Sequence, residues 1–380
     1  MIPILKDYLE ALEANRVSAH RAVIDGVKMI GFKYSLTTVY SGDWDEVTLN
    51  ARGIVFNEET GEIIARPFKK FFNFQEFSVD GTHSALYEKV PAEFKPNLEG
   101  PFRVMEKADG SLGIMFWTGA QWYVKTGGAF TSDQAIWANK WVTKNMNVTL
   151  LDKSKTYCFE IIYPEDIHPV KYDFEGLVLL SVLDNQSGEE ESLDYIKNVA
   201  EELKVRMVKL YDFTNFYEVA SWAKCLPKTM EGVVVTFDNG FKCKLKGDEW
   251  CELARMFEGI TEWRLWKALD LEGLYFHAHV DETKDYMPMD EVPLLIPEEL
   301  PAMRSYADGL ISSIKELSGQ VALIADEAQK IPDRKDQFFY VKEHAGNLTT
   351  AVMIELDVRL GKSKPIYVLK AIHKTLNPAP

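Results

Sequence analysis

A small set of lysines, arginines and carboxylates in this chain stands where it could do chemistry. The most informative string is Glu106-Lys107-Ala108-Asp109-Gly110-Ser111-Leu112. Alone, Lys-x-Asp-Gly fits a solvated β-turn that uses Asp and Gly for backbone reasons. A lysine can attack only as the free amine. At a pKa near 10.4 only about one lysine in 2,500 is neutral at pH 7, and a pKa near 7 requires ~4–5 kcal/mol of differential destabilisation of the ammonium. Burial and nearby cations can supply that much. Lys242, Lys244 and Lys246 alternate along one run and so share a strand face. Like charges placed so repel, which by itself suggests a solvated edge strand. Glu160 interrupts the apolar run Phe159, Ile161, Ile162, where a carboxylate is costly unless paired or at the strand end. Glu231 precedes an apolar strand and alone reads as a turn acid.

Other strings change the weight of these. Arg52-Gly53-Ile54-Val55-Phe56 comes first, then Arg66-Pro67-Phe68-Lys69-Lys70-Phe71-Phe72-Asn73. Phe159-Glu160-Ile161-Ile162, Glu231-Gly232-Val233-Val234-Val235 and Lys242-Cys243-Lys244-Leu245-Lys246 follow Lys107 in that order. The ordered set resembles the covalent nucleotidyltransferases, the superfamily of ATP-dependent ligases and mRNA capping enzymes. In detail it is similar to the bacteriophage T4 RNA ligase 1 family, over about residues 28–255.

The resemblance implies an ATP-dependent RNA ligase that joins 5′-phosphate and 3′-hydroxyl ends, with ATP and Mg²⁺ or Mn²⁺ as cofactors. Lys107 would be the nucleophile, its pKa lowered by burial, Lys70, Lys244, Lys246 and the bound metal. The family places Lys244 and Lys246 on the ATP phosphates, where they stabilise developing charge. Arg52 would lie near the ribose and phosphates, Lys70 near the triphosphate, and Tyr34 near the nucleotide. A structural role for Lys69 or Lys70, with its stem over Phe71 and Phe72, is the alternative. Glu160 would bind the ribose hydroxyls. Glu231 would help hold the metal through water, and no other metal ligand is assigned. In the loop Val124-Lys125-Thr126-Gly127-Gly128-Ala129, Gly127 replaces a family lysine, which implies altered RNA handling with adenylylation kept. RNA ends are the implied partner, single-stranded or from broken tRNA. No kinase or phosphatase domain is visible, so another protein would heal the ends. Gly361-Lys362-Ser363 lacks the P-loop glycine, because Leu356 stands there, and it reads as a polar break between helices.

These residues need elements to hold them. Short β-rich runs at Val27–Tyr34, Arg52–Phe56, Ile63–Arg66, Phe102–Glu106, Leu112–Trp117 and Trp122–Lys125 are parted by turn signals. Tyr157–Tyr163, Gly176–Leu183, and Gly232–Phe237 with Phe241–Lys246 across Asp238-Asn239-Gly240 read as further strands. Ile4–Ala14, Ser132–Lys144, Ser192–Lys204 and Thr214–Lys224 read as helices. After about 250 the pattern turns helical, and Asp281–Pro301 reads as an acidic connector. The expected fold is α+β: an antiparallel-sheet nucleotidyltransferase domain, ATP-grasp-like, over 1–255, then an all-α RNA-specificity domain over 256–380 with no OB-fold. A DNA ligase or capping enzyme would need that OB-fold, about five short strands, after the Lys-x-Lys run. A catalytically dead RNA-binding scaffold fits poorly with so complete a set of cations and acids.

Composition agrees with a soluble globular protein: 46% hydrophobic, 27% charged, 380 residues. The longest apolar runs are far shorter than the ~20 residues of a membrane helix, and the N-terminus carries no signal-peptide pattern, so a cytoplasmic location is expected. A net charge of −15 excludes a surface coated in nonspecific nucleic-acid contacts, though not a polyanion in a local basic cleft. Cys158, Cys225, Cys243 and Cys251 form no Cys-x-x-Cys pair and read as buried free thiols.

Overall fold

The computed structural model describes residues 2–74, 78–79, 82–83, 98–259, 261–270, 275–277, 286–288 and 301–377. The chain divides into two compact units, Met1–Glu252 and Leu253–Pro380.

Among the described residues three larger sheets and one two-stranded hairpin build the first unit. The first runs in order β1 (Val17–Ile24), β2 (Val27–Tyr34), β3 (Arg52–Asn57), β4 (Ile63–Ala65), all antiparallel. Helix α1 (Leu5–Glu13) lays Tyr8 and Ala11 on its Ile30, Phe32, Ile54 and Phe56. Two short helices, α2 (Leu36–Ser41) and α3 (Glu46–Asn50), join β2 to β3. Strand β1 escapes the sequence reading because its burial alternates with polar Ser18, His20 and Arg21 on an otherwise weak apolar pattern.

After β5 (Phe72–Asn73) and the hairpin β6 (Ser78–Val79) and β7 (Thr82–His83), the chain forms β8 (Phe102–Lys107), β9 (Ser111–Trp117) and β10 (Trp122–Thr126). Helix α4 (Asp133–Asn145) follows, then β11 (Lys155–Ile162), β12 (Gly176–Asp184), α5 (Leu193–Leu203), β13 (Arg206–Met207), β14 (Leu210–Tyr211), α6 (Phe216–Lys224), β15 (Gly232–Phe237) and β16 (Lys242–Lys246). Their strands make two five-stranded sheets, ordered β10-β9-β11-β12-β13 and β14-β8-β15-β16-β5. Ser132 and Ser192 cap α4 and α5 as their types predict; α6 is capped by Asn215, not by Thr214. The outer face of one sheet packs on α4 and α5, and that of the other on α6. Their inner faces meet through Met105, Ala108, Ile162, Val178 and Val208.

Helix α7 (Asp248–Gly259) leads into the second unit, which holds α8 (Glu262–Ala268), α9 (Pro301–Ala328), α10 (Arg334–Ala345), α11 (Thr349–Arg359) and α12 (Pro365–Thr375). Val321, Ala325, Val341, Val352, Leu356 and Ile372 share one core there. The strands do not stop at 250: β17 (Leu269–Asp270), β18 (Tyr275–His277) and β19 (Tyr286–Pro288) form a small antiparallel sheet, so this unit is not all-helical. Strand β19 falls inside the expected connector Asp281–Pro301, most of which lies outside the described residues. No five-stranded barrel stands among the described residues. Runs of two or three residues carry too little alternation to be read as strands. Gly361-Lys362-Ser363 is the polar break between α11 and α12. Of the four cysteines, Cys158 and Cys243 are buried, whereas Cys225 is exposed and Cys251 intermediate.

One glycine sets the geometry of the centre. Gly232 pairs with Lys107 on β8 and with Lys246 on β16. It has φ +153, and a Cβ there would lie 2.1 Å from the Leu245 carbonyl oxygen and 2.8 Å from Lys246 Cα. Both obstacles are backbone and cannot step aside. Gly232→Ala should therefore cost about 2–4 kcal/mol of stability, read as a fall in the urea midpoint; an unchanged midpoint would contradict this account of the sheet.

Candidate active site

The register that contains Gly232 brings the charged residues together. On one face of the β8-β15-β16 ribbon, Lys107, Gly232 and Lys246 form one row, Met105, Val234 and Lys244 the next, and Arg103, Thr236 and Lys242 the third. Glu231, just before Gly232, reaches both lysines of the first row. Its Oε2 lies 2.5 Å from Lys107 Nζ and its Oε1 2.9 Å from Lys246 Nζ. The turn acid of the sequence is thus a buried bridge, 3% exposed.

That bridge reverses one expectation. Burial pulls the Lys107 pKa down, but Glu231 outweighs it, with help from Glu160, and holds the ammonium above its ordinary value. In the free protein Lys107 is charged. It is the neighbouring Lys244 that is brought down, to about 7, by burial and by Lys70, Arg52, Lys107 and Lys246, and Lys125 is lowered to about 7 as well, by burial and by Lys33. Strand β16 is also no solvated edge, since β15 and β5 flank it.

The Lys-x-Asp-Gly turn is fixed by its acid. Asp109 accepts the Val170 amide at 3.0 Å and the Trp250 indole N–H at 2.9 Å, and sits 3.4 Å from His168 Nδ1. Burial pulls His168 down, yet Asp109 and Asp166 outweigh it and lift it to about 10. Trp250 also carries Lys246 over its ring at 4.2 Å. One indole therefore ties Lys-x-Asp-Gly to Lys-x-Lys. Gly110 lets its turn approach β11: a Cβ would lie 2.5 Å from the Ile161 carbonyl, and its amide donates to Glu160 at 3.0 Å. Close approach, not a left-handed φ, explains this glycine.

Glu160 is buried, and its carboxyl is pushed up to about 7 by desolvation, with Lys107 opposing. It lines a cavity of about 210 Å³ between the two five-stranded sheets, together with Lys107 and Arg52. Arg52 lies over the rings of Phe68 and Phe71 at 4.8 and 4.6 Å, and its Nη1 is buried without a hydrogen-bond partner. A guanidinium so placed fits an anion in the cavity. Lys244 sits over Phe71 at 5.6 Å. Lys70 lies over Tyr34 at 5.4 Å and Phe72 at 4.9 Å, and lines an adjoining cleft of about 730 Å³ rather than the smaller cavity. Lys69 pairs with Glu46 at 3.1 Å. Lys125 is fully buried, its Nζ donating to the Thr126 carbonyl at 2.5 Å and to that of Gly53 at 3.4 Å, so it holds β10 to β3 beside Arg52.

Residues 50–250 match the T4 RNA ligase 1 model, described as RNA ligase. The chain belongs to that RNA ligase family. RNA ligase 1 of bacteriophage TS2126 is 31% identical over 119 residues, 31% of this chain and 28% of that protein. The RNA ligase of Rhodothermus phage RM378 is 24% identical over 217 residues, 48% of each. An archaeal ATP-dependent RNA ligase shares the fold, with TM-score 0.51 and 14% identity over 82% of this chain and 80% of that one. The chain spans less than half the length of the curated relatives it matches, from 28% to 48%. In this chain Glu231 touches both Lys107 and Lys246, while Arg52 and Glu160 line the cavity with Lys107. Sequence reasoning missed Trp250, His168 and Asp166. The only signal was an indole four residues after Lys246, which reads equally as a helix core position.

Lys244 generates a prediction. Binding a non-reactive α,β-methylene ATP at pH 8 should take up close to one proton, because Lys244 is mostly neutral there and a triphosphate recharges it. At pH 6 it is already charged and takes up none. Calorimetry in buffers of different ionisation enthalpy measures this, and Lys244→Arg should remove the uptake at pH 8. Equal uptake by the arginine variant would contradict the assignment.

Proposed function

We propose that the chain is an ATP-dependent RNA ligase that joins 5′-phosphate and 3′-hydroxyl RNA ends. The observation that carries this is Lys107: an amine lining a half-open cavity with Arg52 and Glu160, gripped by Glu231 and sharing a sheet face with Lys244 and Lys246. In the first step the Lys107 nitrogen attacks the α-phosphorus of ATP, an N–P bond forms, and pyrophosphate leaves with the electrons of the P–O bond. The proton that Lys107 must lose faces Glu231 Oε2, its 2.5 Å partner. In the second step the RNA 5′-phosphate displaces the amine and takes the AMP. In the third, a 3′-hydroxyl attacks that phosphate and AMP leaves. Lys244, Lys246 and Arg52 stabilise charge on the phosphates throughout. Glu160, poised near neutrality, can both donate to and accept from a ribose hydroxyl.

Mg²⁺ or Mn²⁺ fits this donor set. Among the described residues no group of three His, Cys, Asp or Glu could hold a metal, but a nucleotide-bound ion needs one or two carboxylates plus phosphate oxygens. Glu231 would help hold it through water, and it would neutralise charge developing on the phosphates.

We assign adenylyl transfer to residues 1–255 and choice of RNA to 256–380, where Lys362, Lys364, Lys370 and Lys374 are all exposed. Support for a cytoplasmic location is the set of free thiols. Among the described residues no helix is long and apolar enough to cross a membrane.

Labelling with α-³²P-ATP followed by denaturing electrophoresis tests the reading. The wild type should retain label, while Lys107→Ala and Lys107→Arg should not, since arginine keeps the charge but offers no free amine. The wild type should also seal 5′-phosphate, 3′-hydroxyl RNA, and truncation after Gly259 should lower the ratio of tRNA stem-loop to linear-RNA ligation. Label on the Lys107→Arg protein would place the nucleophile elsewhere.

A further inference from the structure

We propose that Lys33, with the amides of Gly127 and Gly128, forms a phosphate site outside the Lys107 cavity, and that it holds a phosphodiester of the RNA strand being sealed. The assignment rests on the ligase reading above and deepens it.

A bulge aims Lys33 at the loop after β10. Along β2 and β3, Phe32 pairs with Ile54, but Lys33 pairs with Arg52. Gly53 is the extra residue between them, at φ +108. A bulge turns the side chains beside it out of the regular alternation. Gly53 also admits the loop, since a Cβ there would lie 3.1 Å from Gly127 Cα. The Lys33 side chain runs along the next residue: a Cβ on Gly128 would stand 3.6 Å from its Cδ and 3.8 Å from its Nζ.

The loop turns its donors outward. The Thr126 and Gly127 carbonyls accept from the buried Lys125 Nζ, at 2.5 and 3.5 Å. In a trans peptide the N–H points opposite to the carbonyl. The N–H groups of Gly127 and Gly128 therefore face away from Lys125. Neither has a hydrogen-bond partner among the described residues, and Gly128 is exposed. Lys33 is exposed too, and among the described residues it forms no ion pair. The surroundings are cationic. Burial and Lys33 lower Lys125, and burial, Lys125 and Lys33 bring His20 down to about 3. No carboxylate contributes to either shift, in a chain whose net charge is −15. An exposed ammonium beside two outward amides matches the acceptor oxygens and charge of a phosphate.

Position favours RNA over ATP. Lys33, Gly127 and Gly128 line neither the 210 Å³ cavity nor the wider cleft, whereas Arg52, the cross-strand partner of Lys33, lines the cavity. Cross-strand partners lie about 5 Å apart. An RNA whose terminal phosphate enters the cavity beside Arg52 therefore passes Lys33 with a phosphate further along its chain. The loop has glycine at 127 where the family carries lysine, and β2 delivers the cation instead.

The test separates nucleotide from RNA. Lys33→Ala should leave covalent labelling by α-³²P-ATP unchanged, because the site lies outside the cavity. It should lower kcat/KM for sealing a 5′-phosphate, 3′-hydroxyl RNA oligonucleotide about 10-fold at low salt. The slope of log kcat/KM against log salt should become shallower by about 0.7, the value of one phosphate contact on a single strand. Lys33→Arg should seal as the wild type does. Gly127→Lys added to Lys33→Ala should restore both rate and slope, since a Cβ at 127 meets only the Arg52 carbonyl, at 3.8 Å. Three results would each overturn the phosphate site and leave the ligase reading intact: unchanged sealing in Lys33→Ala, an equal loss of ATP labelling, or a loss that Gly127→Lys does not restore. No sealing of RNA by the wild type would overturn the ligase reading itself.

Discussion

One carboxylate holds the centre of this protein together. Glu231 lies between Lys107 and Lys246, on the two strands that flank its own, and is almost wholly buried. Two cations on adjacent strands would otherwise repel across a short gap of low dielectric. The bridge lets them coexist, and it does so only because Gly232 allows the strands to close beside it. The same arrangement fixes the resting state: the amine that must attack is held as an ammonium. Nucleotide binding has to change that balance before chemistry can start. Lys244, already near neutrality, marks how crowded with positive charge the site is before any phosphate arrives.

Around that bridge the protein distributes supports. Trp250 joins the two lysine motifs, Asp109 anchors the turn below Lys107, and Lys125 fastens the strand end beside Arg52. None of these need touch a nucleotide. Each restricts a group that does, which is how a rigid scaffold preserves reactive geometry. The charge distribution follows the same economy of means. A chain of net charge −15 gathers part-buried cations on one face of the β8-β15-β16 ribbon and pairs four of them, Arg103, Lys107, Lys242 and Lys246, with two carboxylates, Glu190 and Glu231. The surrounding acids then do not cancel the local field of the cleft.

Much of this was legible in the sequence, for identifiable reasons. Alternation on β16 put Lys242, Lys244 and Lys246 on one face, and the signature strings ordered Arg52, Lys107, Glu160 and Glu231 around one fold. Strands with a clean apolar period, such as β11 and β15, were found nearly to the residue. What the sequence hid was long-range pairing. That Glu231 grips Lys107, and that Lys244 is pulled down while Lys107 is not, depends on neighbours far apart in the sequence, 124 residues in the case of Glu231 and Lys107. Trp250 and Glu190 look like an ordinary helix position and an ordinary acidic turn until the sheets close. The small β17–β19 sheet failed for a different reason, since its strands are too short to show a period.

The most direct measurement of the central claim is an NMR titration of the lysine side chains, with Lys107 and Lys244 assigned by substitution to arginine. In the free protein Lys107 should titrate above an ordinary lysine and Lys244 near 7, and Glu231→Gln should lower Lys107. A Lys107 that titrates near 7 in the free protein, unmoved by Glu231→Gln, would contradict the account.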